Sequence, residues 1–160
     1  MPKVLSNTTP ILSLLKINQL HLLEALYTRV IVPQAVWQEI EAGKDKPFYI
    51  DLTTLAWVEI QTVQNIEALT YLTDLDQGEA EVIVLAREIG ADLVILDETL
   101  GRQFARHFDL RLTGTLGVLL RAKQERHLLQ IKPLLEALRQ QGVWISERVF
   151  QEVLQLAQEQ

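Results

Sequence analysis

Apolar residues run along this chain in two rhythms. Short runs rich in branched residues lie at 3–6 (KVLS), 29–32 (RVIV) and 93–96 (LVIL), with a shorter candidate at 110–112. The run at 93–96 is apolar on both faces, as expected for a central parallel strand covered by helices on each side. Between these runs the apolar positions recur at helical spacing. Asn7-Thr8-Thr9-Pro10 breaks the first run and opens a helix carrying Ile11, Leu12, Leu14, Leu15 and Ile17. Further helices are predicted at 20–26, 34–41, 65–72, 78–89, 99–108, 115–124 and 128–141. Pro33 starts the third and Gly43 stops it, Gly90 stands where a terminating glycine belongs, and Gly142 closes the 128–141 segment. Ser146 caps a last amphipathic helix carrying Val149, Phe150, Val153, Leu154 and Ala157. Residues 52–55 suggest a helical turn, and the alternation of 57–61 (WVEIQ) a short edge strand. Four core strands separated by helices predict an α/β layer fold with a mostly parallel sheet.

In such sheets the site lies at the carboxyl ends of the strands, near the switch in strand order. The first strand ends at Asn7-Thr8-Thr9, and the second runs into the helix bearing Glu39. The third ends at Asp97-Glu98, and the fourth at Thr113-Gly114-Thr115. Glu79 opens the helix before the third strand, so it and Asp97 are expected at one end of the sheet. The donors are carboxylates, an amide and hydroxyls, a set that selects Mg²⁺ or Mn²⁺ over zinc. Asp76 and Glu81 read as bystanders, Glu81 because two residues turn a helix by about 200°. Glu98 reads as an auxiliary ligand. Taken singly, each of these residues also has a structural reading: Asn7, Thr9 and Asp97 as caps, Glu39 as a solvent-facing residue, Glu79 as a complement to the helix dipole.

Composition narrows the picture. With 160 residues, 48% of them hydrophobic, the chain is read as one domain over 1–160. Residues 128–160 form a helical extension packed on it. There is no cysteine, which excludes disulfides and thiolate chemistry. No apolar stretch reaches membrane-spanning length and no secretory leader is read, so a cytoplasmic location and no membrane partner are expected. The net charge of −6 does not indicate a generally basic nucleic-acid binder, yet residues 100–132 hold seven Lys/Arg against two acids. Those cations are either a phosphate-facing flank or the solvated faces of two helices. A receiver domain lacks its aspartate cluster here. No Walker A or G-x-G-x-x-G run occurs, and the G-x-S-x-G elbow of serine hydrolases is absent.

The segments VLSNTTPIL, VIVPQAVWQEI, LDQGEAEVIVLA, GADLVILDE and RLTGTLGVLLRAK together resemble the PIN domain family, and more closely a bacterial PIN-like branch encoded beside small antitoxin-like partners. The resemblance runs over nearly the whole chain. It implies a three-layer α/β/α fold with a mostly parallel sheet and a Mg²⁺- or Mn²⁺-dependent endoribonuclease. The toxin role of a toxin–antitoxin pair, RNA as substrate and a homodimer are also implied. Glu39, Glu79 and Asp97 match three of the family's four acidic positions, and Thr9 matches its hydroxyl position. Asn7 stands where the family has Asp, and is expected to act as a neutral metal ligand. Arg102, Arg106 and Arg121 are the candidates to meet an RNA backbone. The alternative expectation is a PIN-like binding or regulatory module that has lost cleavage because of Asn7.

Overall fold

The computed structural model describes residues 2–160. Five parallel strands form one sheet: β1 (Val4–Ser6), β2 (Val30–Pro33), β3 (Val58–Gln61), β4 (Leu93–Ile95) and β5 (Leu112–Thr113). Their spatial order is β3-β2-β1-β4-β5. The chain moves outward from β1 to β3 on one side, then crosses back to β4 and β5 on the other. The switch in strand order therefore falls between β1 and β4, which pair through Leu5 with Val94 and Ser6 with Ile95. The central strands are hydrophobic on both faces because helices cover both, giving three α/β/α layers.

Among the described residues, eight α-helices surround the sheet: α1 (Thr8–Lys16), α2 (His21–Tyr27), α3 (Gln34–Glu41), α4 (Gln77–Ile89), α5 (Thr99–His107), α6 (Thr115–Gln124), α7 (Lys132–Gln140) and α8 (Glu147–Leu156). Helix α4 is the best buried, with Val82, Ile83, Leu85 and Ala86 nearly sealed from solvent. It packs on α3, α5 and β2. Gly90 ends it in the left-handed conformation at φ 65°, which relieves a side chain of that strain. On α7 and α8, Leu135, Leu138, Phe150, Val153 and Leu154 join the same buried hydrophobic cluster as the sheet. Glu159 ties the chain end down by accepting from the Ile131 and Lys132 backbone N–H groups and the Lys123 ammonium at 2.8–3.0 Å. No helix among the described residues is long and apolar enough to cross a membrane.

The short edge strand expected at 57–61 is present as β3, paired with β2 from Val30–Val58 to Pro33–Gln61. Two elements differ from expectation. Residues 65–72 form a 3-10 helix over Ile66–Tyr71 in which no residue is buried and only Ala68 and Leu69 pack partly against the core. Helix α7 starts at Lys132 rather than at residue 128. Pro133 lacks an N–H and its ring would strike the carbonyl four residues earlier, so it is accommodated only in the first turn.

Candidate functional site

The sharp exit from β1 positions the first component. Asn7 donates its backbone N–H to the Ile95 carbonyl at 3.0 Å, which extends the β1–β4 ladder by one residue. It occupies the cap position of α1, but its side chain makes no cap bond. The amide turns inward instead. Its Nδ2 donates to Glu98 Oε2 at 3.0 Å, and its Oδ1 is buried without a hydrogen-bond partner. A buried amide oxygen left unpaired is costly, and such atoms call for a ligand.

Three further elements deliver carboxylates to the same sheet end. Glu39 comes from α3 and accepts from Thr8 Oγ1 at 2.8 Å. Glu79 sits in the first turn of α4, where Asp76 caps the helix by accepting the Glu79 N–H at 2.8 Å. Asp97 follows β4 and accepts from both the N–H and Oγ1 of Thr115, at 2.8 and 2.6 Å. Asp97 thus anchors the start of α6 across the sheet, not the helix that directly follows it. Glu98 accepts from Asn7 and from the Thr9 hydroxyl. Glycines let these groups crowd together. A Cβ on Gly78 would collide with Glu39 Oε1 and lie 3.4 Å from Asn7 Oδ1. One on Gly101 would lie 2.7 Å from Glu79 Oε2, and one on Gly114 would strike Asp97 Oδ1.

The electrostatics follow from that crowding. Burial raises the Glu79 carboxyl to about 8, reinforced by a shared hydrogen bond with Asp76 and the charges of Asp76 and Glu98. Glu39 is raised by burial, partly offset by the Thr8 hydroxyl, with Asp76 and Glu98 adding repulsion. Asp97 is raised by burial against the opposing pull of Thr115 and of Arg102. Crowded carboxylates of this kind favour either a proton or a cation between them.

Glu39, Glu79, Asp97, Asn7 and Thr9 therefore lie at one end of the sheet, at the β1/β4 switch. Asp76, set aside in the sequence, stands against Glu79. Glu81 does point elsewhere: it is buried, accepts from the Ala35 N–H at 3.1 Å and from Gln77 Nε2 at 3.0 Å, and so braces the start of α3. Thr8 and Thr115 were not singled out in the sequence, although both flank strand ends and carry the hydroxyls that hold Glu39 and Asp97. Of the basic residues, Arg102 adjoins the cluster, donating Nη1 to the Leu96 carbonyl at 2.7 Å. Arg106 lies in the last turn of α5, about 10 Å along the helix from its start at the site. Arg121 pairs with Glu125 at 2.6 Å and lies over the Tyr27 ring, at the far end of α6. These two are not brought to the acidic cluster. Lys123 and Lys132 are likewise engaged with the chain end.

The donors suit a hard divalent cation: oxygen atoms throughout, several carboxylates and one unpartnered amide oxygen. Among the described residues, no three Asp or Glu side chains already converge closely enough to clasp an ion. Each carboxylate is turned toward a hydroxyl, amide or neighbouring carboxyl, so gathering around one ion requires rotation of the flexible Glu39 and Glu79 stems.

The site is thus an oxygen-rich acidic cluster at the switch point of a parallel α/β sheet. The chain belongs to the PIN domain family, whose model matches residues 3–159. That match includes α7 and α8. A comparison with curated proteins gave no match.

Proposed function

We propose that the chain is a Mg²⁺- or Mn²⁺-dependent endoribonuclease of the PIN class. The observation that carries the proposal is the buried, unpartnered Asn7 Oδ1 in a cluster whose Glu79 carboxyl is pushed up to about 8, well above the usual carboxylate range. Glu39, Glu79 and Asp97 would hold the metal, with Asn7 as a neutral fourth ligand. A divalent ion so bound supplies charge neutralisation at a phosphodiester and a more acidic water. Thr9 orients a water or phosphate oxygen through the hydroxyl it now gives to Glu98. Arg102 meets a phosphate beside Asp97. Asp76 caps the helix beside Glu79 and adds negative charge at the site.

Purified protein with Mn²⁺ is expected to cleave RNA, and the Glu79→Gln/Asp97→Asn double variant is not. Equal background from both ends the nuclease reading. A second reading is favoured by one observation: the family's first acid is here an amide already bonded to Glu98. On that reading the chain is a PIN-like binding or regulatory module. An inert parent that gains cleavage through Asn7→Asp supports the module, whereas an active parent excludes it.

The toxin role, with a small antitoxin-like protein as partner, rests on the family likeness and is tested by the neighbouring reading frame and its growth effects. A homodimer is supported by exposed Ile66 and Tyr71 beside a cleft of about 710 Å³ lined by Leu72, Ile83, Val84 and Phe108. Light scattering decides it, since a monomer at high concentration ends the dimer proposal.

A further inference from the structure

Trp144 is 85% exposed, although it lies between two helices that both pack on the core. Its neighbours Val143 and Ile145 turn inward, and Ile145 is buried. Trp144 forms one rim of a cleft of about 340 Å³, within the size range of small-ligand sites. The cleft has two unlike parts. Leu116, Leu138, Val143, Trp144 and Ile145 make most of its wall apolar. Thr9, Asp97, Glu98 and Thr115 bring it to the edge of the acidic cluster, without reaching Glu39 or Glu79.

This polarity narrows the occupant. A ligand spanning the cleft needs an anionic or metal-bound group at one end and a flat apolar group at the other. No Lys or Arg lines this cleft: Arg102 stands beside it, at Asp97, with one Nη1 donor given to the Leu96 carbonyl, and Arg121 pairs with Glu125 on another face. Phosphate contacts to Lys and Arg, the usual source of nucleic-acid affinity, are therefore scarce here. Binding must draw on a base, and aromatic rings stack on unpaired bases irrespective of sequence.

We propose that Trp144 and the apolar part of this cleft form a stacking subsite for an unpaired nucleobase adjoining the phosphodiester held at the acidic cluster. This rests on the nuclease reading and adds to it a position in this chain, Trp144, at which the RNA is engaged by a base rather than by its backbone. Duplex RNA keeps its bases stacked on one another and cannot offer one to Trp144. Affinity at this subsite depends only weakly on salt, because few counterions are released.

The test uses full-length protein, Mn²⁺, and a single-stranded RNA oligonucleotide beside its duplex. Binding is followed by quenching of tryptophan emission and, separately, by anisotropy of labelled RNA. The single strand is expected to bind more tightly than the duplex, with quenching that disappears in Trp144→Ala. That variant weakens RNA binding roughly fivefold to a hundredfold, the range for loss of one stacked base. Trp144→Phe restores most of the affinity, and the cleavage defect of Trp144→Ala appears in KM rather than kcat. RNA binding by Trp144→Ala equal to that of the parent, or a preference for duplex, overturns the subsite. If Trp144→Ala leaves RNA binding intact but halves the mass in light scattering, the residue serves a contact between copies and the proposal fails. Cleavage with an unchanged KM in Trp144→Ala removes the subsite and leaves the nuclease reading standing. Trp144-dependent binding without metal-dependent cleavage keeps the subsite and removes the nuclease.

Discussion

Replacing Glu79 by Gln changes the site's response to pH more than its shape. The parent carboxyl is 7% exposed and is raised from 4.5 to about 8 by burial, by its bond with Asp76 and by the charge of Glu98. The folded chain thus holds this proton more tightly than the unfolded chain does. Its contribution to stability is full below about pH 4.5 and is lost as pH rises through about 8. At about 1.4 kcal/mol for each tenfold change in acidity, the whole displacement corresponds to about 5 kcal/mol. Sharing with Asp76 and screening by solvent at the site mouth reduce that to about 2 kcal/mol. Burial also pushes the Glu39 and Asp97 carboxyls up, which acts in the same direction. Urea denaturation at pH 5.5, 7.0 and 8.5 is therefore expected to show falling stability in the parent and a distinctly flatter profile in Glu79→Gln. Saturating Mn²⁺ should lift the parent most at pH 8.5, where the cation replaces the lost proton. A parent profile that is flat or rises over this range, or an unchanged slope in Glu79→Gln, refutes the account of the cluster.

Asn7→Asp replaces the 3.0 Å bond to Glu98 with facing carboxylates, so metal-free protein should lose about 1–3 kcal/mol in urea melts while its affinity for Mn²⁺ increases. Gly78→Ala drives a methyl group against Glu39 Oε1, the movable end of a long side chain, so thermal stability should change by less than about 1 kcal/mol while Mn²⁺ binding weakens measurably by calorimetry. Glu81→Ala strips the acceptor from the Ala35 N–H and from Gln77, and should cost about 1–3 kcal/mol of stability. That loss is expected equally with and without metal, because Glu81 lies outside the cluster.

Much of the fold was legible because the relevant signals are local. Runs such as LVIL at 93–96 reveal a strand covered on both faces, and Gly90 marks the end of α4. The site was legible to the extent that a parallel sheet sends strand ends and following helices to one edge, which brings Asn7, Glu79 and Asp97 together. What was missed depends on contacts across the sheet. Nothing near Thr115 in sequence says that its hydroxyl holds Asp97, and nothing near Thr8 points to Glu39. Asp76 looked idle because it lies just before the helix predicted at 78–89, and only the structure shows that it caps that helix against Glu79. Arg121 looked available because a run of cations does not show that one lies over Tyr27 and pairs with Glu125.

The most direct measurement is calorimetric titration of the metal-free protein with Mn²⁺, beside Glu79→Gln/Asp97→Asn and Glu81→Ala. One ion per chain is expected for the parent and for Glu81→Ala, with proton release at pH 7 as the raised carboxyls deprotonate. The double variant should show no binding in the same range. A parent that takes up no Mn²⁺, or a double variant that binds it equally well, contradicts the assignment of this acidic cluster as the metal site.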